Sequence, residues 1–170
     1  EAGRLADTFK AGHLIRDGLR VAIVGRPNVG KSSLFNALLG SDRAIVTDIA
    51  GTTRDQLHER FTIRDIPISL IDTAGLRETS DTVESIGVER SKGAMADADL
   101  VIVMLDASEE IRPEDHEIID RVCDLNYVVA LNKIDKIPSG NIEEISMIPA
   151  ANQIRISAKT GEGLDELRDA

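Results

Sequence analysis

Arg20-Val21-Ala22-Ile23-Val24-Gly25-Arg26-Pro27-Asn28-Val29-Gly30-Lys31-Ser32-Ser33-Leu34-Phe35 is the stretch from which the rest of the chain can be read. It begins as a short β-branched apolar run, passes through a glycine-bearing loop, and continues into helix-forming residues, so it predicts strand, loop and helix in that order. Gly25 to Ser32 follows the Gly-x-x-x-x-Gly-Lys-Ser pattern of a phosphate loop. Glycines let successive backbone N–H groups turn inward around a phosphate, and the helix beyond adds its positive N-terminus. Lys31 brings a full charge to the outer phosphates, and Ser32 offers an oxygen to Mg2+. Asn28, Val29, Gly30 and Ser33 complete the predicted cradle. The loop implies a nucleoside triphosphate and leaves the base open.

Around this unit, short apolar runs alternate with helical stretches, the signature of parallel strands joined by crossover helices. Five runs, Arg20 to Val24, Ile68 to Asp72, Leu100 to Leu105, Val128 to Asn132 and Gln153 to Ser157, are nearly continuous in apolar residues, as strands buried on both faces are. A sixth, Leu57 to Ile63, alternates and precedes an Arg64-Asp65-Ile66-Pro67 turn, so it is expected as an antiparallel edge strand. Helices are predicted over Lys31 to Leu39, Val83 to Met95, Glu114 to Leu125 and Gly163 to Arg168. Ser41 to Thr53 and Thr73 to Thr82 fit neither pattern and are expected as loops that carry function. The expected fold is α/β: a six-stranded, mostly parallel sheet with one antiparallel edge strand and helices on both faces. Residues 18–170 form the predicted domain, and residues 1–17 a stub of a preceding helical region.

The composition agrees. The 170 residues suit one domain, and with 42% hydrophobic but only 2% aromatic residues the core must be aliphatic. A net charge of -10 argues against a broad nonspecific nucleic-acid surface. The single Cys123 admits no internal disulfide, which suits a reducing compartment. The longest apolar run, Leu100 to Leu105, has six residues, far from the roughly 20 of a membrane span, so no membrane association is expected. His13, His58 and His116 are scattered and suggest no site.

Asn132-Lys133-Ile134-Asp135 follows a predicted strand at the sheet edge where open α/β folds bind ligands. An ionised Asp135 can accept from both N1–H and the exocyclic amine of guanine, a donor pair that adenine does not present. Asn132 can tie neighbouring loops, and the Lys133 stem can cover the purine. Ser157-Ala158-Lys159, after the last strand, offers a backbone N–H to the guanine O6. Asp72-Thr73-Ala74-Gly75 ends another strand, where Asp72 can hold a magnesium-bound water and the Gly75 N–H can face the γ-phosphate. Gly51-Thr52-Thr53 lies upstream, and Thr53 can complete the magnesium shell.

With these motifs in this order, the chain resembles the GTPase group that contains Era, Der and MnmE, from about Gly18 onward. The resemblance is greatest to the MnmE family, on Thr47-Asp48-Ile49-Ala50-Gly51-Thr52-Thr53-Arg54-Asp55, Asp72 to Thr79, and Val83-Glu84-Ser85-Ile86-Gly87-Val88-Glu89-Arg90-Ser91. It implies a P-loop, Ras-like GTPase domain that turns GTP into GDP and phosphate, with Thr47 to Thr53 and Asp72 to Gly75 in the nucleotide site. Leu76 stands where small signalling GTPases have a water-orienting glutamine. The resemblance implies that Glu84 orients the water instead, although Asp81-Thr82-Val83-Glu84 also reads as a helix capping box. Arg26, Arg54 and Arg77 are nearby candidates for an arginine finger. The resemblance instead implies a potassium ion there, held by Asn28, Thr47, the backbone of Ile49, and Thr52.

It further implies a homodimer across the switch faces and a role in tRNA wobble-uridine modification with the partner MnmG. Folate and flavin chemistry and tRNA contact would belong to other domains or the partner, in the cytoplasm or an organellar matrix. The alternatives are a ribosome-assembly switch of the Der or Era type and, more remotely, a P-loop kinase, which would have no use for Asn132 to Asp135.

Overall fold

A computed structural model of the chain describes residues 18–41, 59–63, 66–71, 95, 97–137 and 148–170. Six strands form one sheet: β1 (Leu19–Val24), β2 (Glu59–Ile63), β3 (Ile66–Ile71), β4 (Leu100–Asp106), β5 (Tyr127–Asn132) and β6 (Gln153–Arg155). Their spatial order is β2-β3-β1-β4-β5-β6. β2 runs antiparallel to β3 and every other pairing is parallel, as expected from the alternating β2 and the continuously apolar inner strands. Three α-helices are described along their length, α1 (Lys31–Ser41), α2 (Pro113–Val122) and α3 (Leu164–Asp169), and Met95 and Asp97 are helical as well. None of these helices is long and apolar enough to cross a membrane.

Alternate residues of the inner strands feed two cores. Ile102 and Met104 of β4 pack with Val21, Ile23, Leu34, Leu38, Leu164 and Leu167, beneath α1 and α3. Val101, Val103 and Leu105 of the same strand pack with Ile119, Val122, Val129 and Leu131, beneath α2. Helices thus cover both faces, and period-2 alternation along an all-apolar strand decides which residue meets which layer. At the amino end of the sheet, Arg20 clamps the loop before β4: its backbone N–H donates to the Asp99 carboxylate at 2.9 Å and its guanidinium to both Asp99 oxygens at 3.1 and 3.2 Å.

Several boundaries differ from expectation. Ile66 and Pro67, expected in a turn, belong to β3, where they pair with Ile63 and Thr62. A proline lacks an N–H for a ladder, but β1 begins its pairing one residue later, at Leu19 opposite Ile68, so none is needed from Pro67. Gly18 makes this close approach possible: at φ +77, a Cβ there would lie 2.7 Å from the Pro67 carbonyl oxygen. β6 stops at Arg155, although Ile156 still donates to the Leu131 carbonyl at 2.9 Å, because Ser157 turns to bond Glu162 at 2.8 Å. α2 ends at Val122, and the Leu125 N–H closes a turn on the Val122 carbonyl at 2.8 Å. The predicted residues Leu57, His58 and Asp72 of strands, residues 83–94 of a helix, and the 1–17 stub lie outside the described residues.

Candidate nucleotide site

Every described motif residue sits at the carboxyl ends of β1, β5 and β6. The loop after β1 owes its shape to backbone that side chains resist. Gly25 has φ +153, and a Cβ there would meet the Met104 carbonyl at 2.5 Å. Asn28 has φ 63, the left-handed region that asparagine tolerates better than most residues. Gly30 has φ +106, and a Cβ there would strike the Asn132 side-chain nitrogen. Val29 between them is fully buried, which pins the loop from beneath. α1 starts at Lys31 with no acidic residue in its first turn, so nothing offsets its positive end.

The Lys31 ammonium donates to the carbonyls of Gly25 at 2.8 Å and Arg26 at 2.6 Å. Burial pushes its pKa down to about 8. A phosphate beside it would favour the charged form again. The Ser32 hydroxyl, half-buried in the first turn of α1, makes no hydrogen bond among the described residues, so its oxygen fits a magnesium ligand. Asn28 is exposed at the loop apex.

The base-reading residues are joined to this loop by side chains. Asn132, at the end of β5 and buried, donates through Nδ2 to the Val29 carbonyl at 2.8 Å. Its Oδ1 accepts from the Ala158 N–H at 2.9 Å, so one carboxamide holds the phosphate loop and the 157–159 loop together, as its sequence position suggested. Ser157 Oγ donates to Asp135 Oδ1 at 2.7 Å, which orients that carboxylate and leaves Oδ2 for a ligand. Because the N–H groups of Ser157 and Ala158 already donate within the protein, that of Lys159 is the one this loop can offer a base oxygen.

Three carboxylates join the site that the motifs did not name. Asp106, buried at the end of β4, accepts Lys133 Nζ at 2.5 Å, while the same ammonium donates to the Asn28 carbonyl at 2.7 Å. The head of Lys133 is thus tied to β4 and the phosphate loop. Burial by itself raises the Asp106 pKa, but the bonds from Lys133 and from the Ser108 Oγ and N–H outweigh it and hold the carboxyl below its ordinary value. An acid ending an otherwise apolar run was the readable signal for Asp106. Asp115 binds Arg26 Nε at 2.8 Å, and Glu109 lies 3.6 Å from the same guanidinium. Arg26 is therefore held against α2 and its approach loop. Thr47, Asp48, Ile49, Ala50, Gly51, Thr52, Thr53, Arg54, Asp72, Thr73, Ala74, Gly75, Leu76, Arg77 and Glu84 lie outside the described residues.

Residues 20–133 match the family described as 50S ribosome-binding GTPase. The chain is 50% identical over 165 residues to the tRNA modification GTPase MnmE of Aquifex aeolicus, covering 97% of this chain and 36% of that protein. It is 48% identical over 167 residues to the Enterococcus faecalis protein of the same name, covering 96% of this chain and 36% of the relative. The chain thus spans about a third of the length of these relatives. Among solved structures, Aquifex aeolicus Era bound to GDP and aluminium fluoride matches with a TM-score of 0.65 and 36% identity, over 88% of this chain and 54% of that one. The G domain of the Thermotoga maritima FeoB iron transporter matches with a TM-score of 0.58 and 33% identity, over 89% and 94% of the two chains.

Proposed function

The chain belongs to this family of P-loop GTPases, within it to the MnmE G domains, and from that premise we propose that its GTP hydrolysis drives a conformational cycle in tRNA wobble-uridine modification. The observation that carries the guanine reading is the Asn132 carboxamide: it binds the phosphate loop to the Ala158 loop while Ser157 presents Asp135. A purine whose edge offers two adjacent donors would satisfy Asp135, and its O6 would accept from the Lys159 N–H. Adenine would leave the second oxygen of that carboxylate desolvated and unpaired.

In this reading Lys31 and the start of α1 hold the phosphates. Ser32, with Thr53 and, through water, Asp72, would hold Mg2+, which supplies charge neutralisation at the β- and γ-phosphates. Asn28, with Thr47, the Ile49 backbone and Thr52, would hold K+, and Glu84 would orient the attacking water. The pairing of two such domains across their switch faces, the partner MnmG, tRNA contact through other domains, and residence in the cytoplasm or an organellar matrix complete the proposal. The matches at 48 to 50% identity to MnmE proteins favour this role over the ribosome-assembly alternative suggested by the 36% match to Era.

Hydrolysis measured with GTP and ATP, in potassium and in sodium, tests it. GTP turnover that rises in potassium and is absent with ATP is expected. Equal rates in the two salts would remove the potassium site, and equal use of ATP would remove the guanine reading. Restoration of wobble-uridine modification when this segment replaces its counterpart in a MnmE-deficient cell tests the larger role; no restoration by a stably expressed chimaera counts against it.

A further inference from the structure

We propose that Asp115 is a positioning residue for the phosphate loop, acting through Arg26; the proposal rests on the reading of Gly25 to Ser32 as the loop that holds GTP. Asp115 is 1% exposed on the inner side of α2, 89 residues along the chain from Arg26. A carboxylate so buried must be matched, and both its oxygens are: Oδ1 accepts from Arg26 Nε at 2.8 Å and Oδ2 from the Arg112 N–H at 3.0 Å. The Arg112 guanidinium in turn donates to Glu109 at 2.8 Å, the same residue that lies 3.6 Å from Arg26. The start of α2, the segment before it and the second residue of the phosphate loop thus form one charged cluster.

What gives this cluster a consequence for the nucleotide is the backbone of Arg26. Its side chain is held by Asp115, while its carbonyl accepts from Lys31 Nζ at 2.6 Å. A displacement of Arg26 moves the acceptor that sets where the Lys31 ammonium rests. Asp115 therefore restrains, at one remove, the charge that meets the outer phosphates. A tie that served the fold alone would lower the melting temperature when cut and leave nucleotide release untouched.

The test uses the full chain and four variants, Arg26→Met, Asp115→Asn, their combination, and Arg26→Lys. Release of a fluorescent GDP analogue, kcat and KM for GTP, and the melting temperature are measured for each. Asp115→Asn keeps an oxygen for the Arg112 N–H while removing the charge that holds Arg26. Each single change is expected to speed release about tenfold, with the double variant no faster than either single, as coupled groups behave. Arg26→Lys should recover part of the loss. Release unchanged in Arg26→Met, additive effects in the double variant, or unchanged or slower release in a folded Asp115→Asn would each overturn the proposal. If Asp115→Asn does not fold, Arg26→Met and Arg26→Lys decide by the same criteria. Failure of the unsubstituted chain to bind the GDP analogue would instead overturn the phosphate-loop reading itself.

Discussion

At the base-reading end, side chains set the geometry: the Asn132 carboxamide joins two loops through their backbone, and the Ser157 hydroxyl aims the Asp135 carboxylate. At the phosphate end, shape comes from the backbone of Gly25, Asn28 and Gly30, and among the described residues Lys31 bonds only carbonyls of its own loop. The first region is vulnerable to the exchange of a single functional group, the second to the addition of a single carbon. Discrimination among bases thus depends on chemical identity at a few atoms, whereas capture of phosphate depends on conformational freedom that side chains would remove.

Substitutions separate the two regions by the size and kind of their effects. Asp135→Asn, which replaces a second acceptor with an amide donor facing guanine N1–H, should lower the preference for GTP over ATP by about a thousandfold. Displacement of a fluorescent nucleotide by each triphosphate measures this, and an intact preference would contradict the chemical account of the base end. Gly30→Ala combines a φ of +106 with a collision at Asn132, and should weaken GTP and ATP alike by about a hundredfold. Loss confined to GTP would show that the phosphate loop reads the base as well.

Asn132→Ala strands the buried Val29 carbonyl and Ala158 N–H, and should cost about 2 kcal/mol of stability in urea unfolding. The smallest effect concerns acid. The folded pKa of Asp106 lies below its ordinary value of 3.8, so its contribution is whole above that pH and is lost as pH falls through the folded value. Asp106→Asn should thus cost about 1 kcal/mol near neutrality, a difference that shrinks below about pH 4. A difference constant with pH would deny the Lys133 pairing its role.

The layered sheet was legible because its strands are unbroken apolar runs, and the loops at their carboxyl ends were legible because their chemistry is local in sequence. What spacing could not reveal is long-range: Arg26 meets a carboxylate 89 residues away, and Lys133 meets one 27 residues away on the neighbouring strand. An acid three residues into a helix reads as a cap, and Asp115 does serve the Arg112 N–H, but its second oxygen answers to a partner only the fold brings near. The same applies to Pro67, whose missing N–H forbids a central ladder in general but not beside a strand that begins one residue later.

The aliphatic core has an optical consequence. With no Trp and one Tyr in the chain, ultraviolet emission comes from Tyr127 alone, and Tyr127 opens the strand that Asn132 closes. The lone native fluorophore sits at one end of β5 and the base-reading motif at the other, about 17 Å apart at the usual rise per residue. A change in its emission on adding nucleotide would report motion transmitted along β5. A tryptophan introduced anywhere else would shine against a dark background.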